Sequence, residues 1–150
     1  MKKGRFLAVL GFVVAALVVA GCGGGDDEPS ALTKAEFVKQ GNSICKEGRS
    51  EREKLFQTFT AEVKAGQVTR EDQESLVTVI LKPPYEKTIE GLEGLGAPEG
   101  DEKKVEAIIA AMEKGLAKAE ANPLVSLRSN IQFAEANSLA AKYGLTECYV

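Results

Sequence analysis

The sequence predicts an all-α fold, a mostly antiparallel bundle of four to five helices opened by one long helix. Three observations predict it. Apolar and small residues recur at helical spacing for about thirty residues from Phe37 to Val63. No stretch alternates apolar and polar residues for long enough to make a sheet strand. Helix punctuation (capping residues, Pro-Pro, Asn-Pro and glycines) stands between the periodic segments. From Thr33 to Val150 there are 118 residues, enough for one domain with a real core, and no segment repeats at a fixed period.

The first helix begins at Thr33. Thr33-Lys34-Ala35-Glu36 is a capping box, and Leu32 with Phe37 fits a hydrophobic staple. Phe37, Gly41, Ile44, Cys45, Gly48, Leu55, Phe56, Phe59 and Val63 form its inward stripe, and Gly66 suits the position past its end. A second helix starts near Thr69, with Asp72 as a capping partner and Leu76, Val77, Ile80 and Leu81 inward. Pro83-Pro84 ends or kinks it, because proline lacks the amide donor and clashes with the preceding turn. A short third helix carries Tyr85, Ile89, Leu92 and Leu95, with Gly91, Gly94 and Gly96 loosening its C-terminal half. Asp101 caps a fourth helix, with Glu102 favourable in its first turn. Val105, Ile108, Ile109, Met112, Leu116 and Ala119 share one face of it until Asn122-Pro123. Leu124 to Arg128 reads as an apolar connection. The last helix runs from about Ser129 to Tyr143 with Phe133, Ala136, Asn137 and Ala140 inward, and Gly144-Leu145 reads as a Schellman end.

The first residues are of another kind. Lys2, Lys3 and Arg5 precede an apolar run from Phe6 to Ala20, interrupted only by Gly11. That run falls short of the roughly 20 residues of a membrane span and has the pattern of a secretory signal. Val19-Ala20-Gly21-Cys22 resembles a bacterial lipobox. This resemblance covers residues 1–22. It implies cleavage before Cys22, a diacylglycerol on its sulfur, and a lipoprotein held on the extracytoplasmic face of the cell membrane. The two chains of that diacylglycerol, with or without a third on the new amine, would make the anchor stable, since one chain alone binds marginally. The chain then divides into a signal peptide at 1–21, a lipidated flexible tether at 22–32 and a helical bundle domain at 33–150. An uncleaved anchor helix and an ordinary cleaved signal are the alternatives.

Composition narrows the partners. The whole chain has 19 basic and 22 acidic residues; losing Lys2, Lys3 and Arg5 leaves 16 basic residues and a net charge of −6. An acidic chain is a poor partner for nucleic acid, whose affinity comes largely from phosphate contacts. Membrane contact is expected through the Cys22 lipid and not through basic docking. Histidine is absent, which removes the commonest general base and metal ligand and makes a Ser-His-Asp triad impossible.

Three cysteines is an odd count for an exported protein. Lipidation of Cys22 leaves Cys45 and Cys148, which would pair in an oxidising compartment and tie the first helix to the C-terminal tail. Two unpaired structural thiols are the alternative. Phe37 to Cys45, together with Tyr143-Gly144-Leu145-Thr146-Glu147-Cys148, resembles a group of small exported bacterial helical proteins with an early helix cysteine and a terminal GLxxC. The resemblance implies the helical fold and the disulfide and carries no activity.

Chemistry-bearing motifs are few. Gly91 to Gly96 has the order G-x-x-G-x-G, without the strand or the Lys-Ser/Thr of a phosphate loop. Asp26-Asp27-Glu28 lacks the spacing of a calcium loop and reads as a solvated linker. No cofactor, metal site or catalytic set is expected. Two polar residues fall on inward stripes: Arg52 between Gly48 and Leu55, and Asn137 between Phe133 and Ala140. Each marks a polar site lined by the bundle, or else Arg52 snorkels outward and Asn137 bonds backbone. Tyr85 and Tyr143 are the candidate neighbours of a ligand there. Gly41, Gly48, Ala136 and Ala140 allow close helix approach.

Three functions follow in order of expectation. The first is a non-catalytic interaction or scaffold module presenting a surface to an envelope protein. The second is a small-ligand-binding protein using Arg52, Tyr85, Asn137 or Tyr143, with Arg52 as counter-ion to an acidic ligand. The third is an envelope enzyme.

Overall fold

Thr33 starts the first helix, α1 (Lys34–Glu62), by a reciprocal cap. In the computed structural model, which describes residues 31–62 and 69–150, the Thr33 amide donates to the Glu36 carboxylate at 2.9 Å. The Glu36 amide donates back to Thr33 Oγ1 at 3.3 Å. Leu32 and Phe37 both join the core cluster, as the staple requires. The signal segment, the lipobox with Cys22, the acidic linker, Val63 and Gly66 lie outside the described residues.

The inward stripe of α1 holds over its first half, where Phe37, Gly41, Cys45 and Gly48 are buried. Beyond Gly48 the cover thins. Leu55 and Phe59 are half-buried, and Phe56, expected inward, is 49% exposed. The elements that cover the first half do not reach this far along α1.

Thr69 and Asp72 form a second capping box, which opens α2 (Arg70–Ser75). The chain then makes a π turn over Leu76–Leu81 and continues as α3 (Lys82–Gly94). Pro83-Pro84 therefore neither ends the helical path nor interrupts it. The Lys82 amide donates to the carbonyl of Val77, five residues back. This wider turn shifts the ladder so that both prolines fall in the first turn of α3, where their missing donors are tolerated. Val77, Ile80, Tyr85, Ile89 and Leu92 are buried along the path. Gly91 and Gly94 stay helical, so the glycine-rich stretch is a helix end and not a phosphate loop.

α4 (Glu102–Ala121) buries Val105, Ile108, Met112, Leu116 and Ala119 on one face, as its periodicity predicts. Asp101 departs from its expected role. Its backbone carbonyl accepts the Lys104 and Val105 amides, but its carboxylate caps nothing. The expected connection is instead a six-residue helix, α5 (Pro123–Arg128), with Pro123 in an opening position that suits proline. Ser129 is extended, which resets the path, and a 3-10 turn over Ile131–Phe133 leads into α6 (Ala134–Tyr143). The last helix thus starts later than about Ser129.

α6 ends in a Schellman motif. The Leu145 amide donates to Ala140 at 2.9 Å and the Gly144 amide to Ala141 at 3.2 Å, with Gly144 at φ 112°. Leu145 turns into the core as the motif's hydrophobic residue.

The order is antiparallel. Gly41 of α1 lies against Leu92, Gly91 against Ile44 and Gly48 against Thr88, so α1 and α3 run in opposite senses. Lys82–Glu120 sets α3 against α4, and Lys114–Glu135 with Tyr143–Asp101 sets α4 against α6. Gly48 is the tightest point. A Cβ there would sit 2.1 Å from Thr88 Oγ1, so only glycine lets α3 approach at this crossing. The tail then returns to α1. Cys45 and Cys148 stand at disulfide distance, Cα–Cα 4.8 Å, across 103 residues of sequence. Among the described residues no helix is long and apolar enough to cross a membrane.

Candidate functional site

Where the cover of α1 thins, a groove opens. Arg49, Arg52, Glu53 and Phe56 recur at i, i+3, i+4 and i+7, one face of the helix, and form its first wall. The π turn supplies Leu76, Val77, Ile80 and Leu81. Phe133 and Gln132 of the 3-10 turn line it too. The groove encloses about 440 Å³, within the roughly 300–1,000 Å³ of small-molecule sites. Its surface is mainly apolar, with a few polar groups converging on it.

Those groups differ in how they are satisfied. Arg49 is committed to the tail: it pairs with the Glu147 carboxylate, donates to the Glu147 carbonyl at 3.1 Å, and lies 4.6 Å from the Tyr149 ring centroid. The Glu147 partner raises its already high pKa. Arg52 is half-buried, and among the described residues it has neither an ion pair nor a hydrogen bond. Burial lowers its pKa, Tyr85 opposes that and Arg49 adds to it. A guanidinium stays charged regardless. Gln132 Oε1 is buried with no donor among the described residues. An acceptor left so costs about 1–3 kcal/mol.

The four candidate residues separate. Arg52 and Tyr85 come together. Tyr85 packs edge-on against Phe133, ring centroids 5.0 Å apart, behind the groove, and burial pushes its phenol well above the usual range. Asn137 faces the tail instead, where its Oδ1 accepts the Val150 amide at 3.3 Å. Tyr143 belongs to a cluster at the other end of the bundle. Its hydroxyl donates to Asp101 at 3.0 Å, its ring meets Phe37 edge-on at 5.9 Å, and Lys34 lies over it at 4.5 Å. Burial and Asp101 push the Tyr143 phenol up to about 12.

Sequence reading passed over Arg49, Gln132 and Asn42. Arg49 follows Gly48 and sits off the stripe as read, although its spacing of three to Arg52 was a signal. Gln132 was hidden by reading one continuous helix where a 3-10 turn re-aims it. Asn42 clamps the tail from both its amide ends, donating to the Gly144 carbonyl at 3.0 Å and accepting the Glu147 amide at 2.8 Å. Among the described residues no group of three or more Cys, Asp or Glu side chains is placed to hold a metal ion. No family model, no curated protein and no solved structure matches the chain.

The Asp101 cluster makes a pH prediction. Lys104 pairs with this carboxylate, whose side chain is 12% exposed, and holds its pKa below the ordinary 3.8; burial opposes, and Tyr143 and Lys34 assist. The unfolded chain therefore binds the proton first on acidification. Stability from Asp101 is present above the ordinary value and lost as pH falls through the lowered one. Thermal melts of Asp101→Asn against the wild type should show the largest gap near neutrality and a shrinking gap in acid. A gap that is constant with pH would contradict this.

Proposed function

We propose that this chain is a membrane-tethered extracytoplasmic lipoprotein, anchored through Cys22, whose bundle is a non-catalytic module that binds a small anionic ligand in the Arg52 groove. The tether rests on the lipobox pattern of Val19 to Cys22 and the signal-like residues before it. One observation carries the binding role: the half-buried, uncompensated guanidinium of Arg52 on the wall of an open apolar groove. Partly burying a charge without a partner lowers stability. A small acid or a partner's carboxylate would each supply the missing anion; the concave, mainly apolar groove of small-molecule size favours the small acid.

The test is native mass spectrometry of the exported, oxidised protein. A copurifying small acid held by the wild type and lost from Arg52→Met supports the proposal. A bare protein, with cross-links to one envelope protein from a photoreactive residue placed at the 71% exposed Ile131 position on the same turn, supports the scaffold reading instead. For the tether, Cys22→Ser should move the protein from the membrane fraction to the soluble extracytoplasmic fraction; unchanged retention would sink the lipid anchor.

A further inference from the structure

We infer that the groove takes the carboxylate end of a monoanionic amphiphile. This rests on the binding-module reading and narrows it to one ligand chemistry. The carboxylate pairs with Arg52, and an apolar body lies over Phe56, Leu76, Ile80 and Phe133.

Charge fixes the valence. Arg49 is neutralised by Glu147 and stacked on Tyr149, so it offers little to a ligand. Glu53 stands on the same wall as Arg52. One cation is therefore available, since Glu53 is exposed and makes no ion pair with Arg52 among the described residues. A monoanion balances Arg52. A phosphate monoester, near −2, would meet Glu53 with surplus charge, and a neutral molecule would leave Arg52 unpaired. The planar two-oxygen face of a carboxylate also matches the guanidinium fork.

The experiment uses the whole mature chain, residues 22–150, with Cys22→Ser so that no detergent is needed. Calorimetric titration compares decanoate, decanol and decyl phosphate. Decanol and decyl phosphate are each expected to bind at least tenfold more weakly than decanoate. Arg52→Met should weaken decanoate at least tenfold and leave decanol unchanged. Arg52→Gln repeats the test with a polar side chain, and the melting temperature of each variant shows that it is folded. Equal binding of decanol and decanoate, unchanged acid binding by folded Arg52 variants, or no binding of any probe overturns the inference. The outcomes also separate it from the broader reading. A copurifying phosphate or neutral molecule lost with Arg52 would overturn the carboxylate and leave the binding module standing. A bare protein cross-linked through a photoreactive residue at position 131 would remove both.

Discussion

Cys45→Ser is expected to lower the unfolding free energy by about 2–5 kcal/mol, and to do so chiefly by releasing the unfolded chain. The link spans 103 residues, long enough for the chain-entropy model to assign roughly 4–5 kcal/mol to it. The native fold should survive, because the tail has other holds. Asn42 clamps Gly144 and Glu147, Arg49 pairs with Glu147, and Leu145 is 2% exposed in the core. Urea unfolding of the oxidised wild type, the reduced wild type and the variant checks this. The last two should nearly coincide, well below the first. A thiol reagent should label Cys148 in the variant and neither domain cysteine in the oxidised wild type. Labelling of Cys148 in the wild type would mean that the bond is absent.

Phe133→Ala should cost about 3–5 kcal/mol, roughly 10–20 °C of melting temperature. Phe133 is 1% exposed, meets Tyr85 edge-on, and lays its ring edge over Gly115 of α4. It is held by a three-residue turn, so the backbone has little freedom to collapse into the cavity. The same ring lines the groove, so ligand affinity should fall with stability. Ile131→Ala, two residues away and 71% exposed, is the control, expected to stay within about 0.5 kcal/mol of the wild type. A Phe133→Ala loss no larger than the control would mean that this turn is not part of the cooperative core.

Most of the fold was legible because helical punctuation is local. Thr33 and Glu36, Thr69 and Asp72, and Gly144 with Leu145 each act within a few residues of themselves, and each adopts the cap its spacing predicts. The amphipathic face of α4 was read on the same ground. The misreadings involve elements that respond to the ladder or to packing. Pro83-Pro84 carries a breaking signal, yet one extra residue in the preceding turn absorbs it. Asp101 looks like a cap, yet Tyr143, 42 residues away, and Lys104 take its carboxylate. The stripe of α1 predicted burial for Phe56, but periodicity reports a face and not whether a neighbour reaches it. The groove was half-legible. Arg52 showed as a charge on an apolar stripe, while Gln132 depended on a 3-10 turn with no sequence mark of its own.

The tail contacts also set an order in time. Partners on α1 and on the segment from Gly144 to Cys148 are 98 to 107 positions apart. A chain that emerges from a ribosome or a translocation channel N-terminus first presents α1 early, with this part of its face uncovered. α3 can dock on it before the tail arrives, but Asn42, Cys45 and Arg49 find their partners only after nearly the whole domain has emerged. Loop-closure entropy makes these the late contacts. Closure of the domain is therefore deferred until residues 144–148 have emerged, and the chain stays open to rearrangement until then.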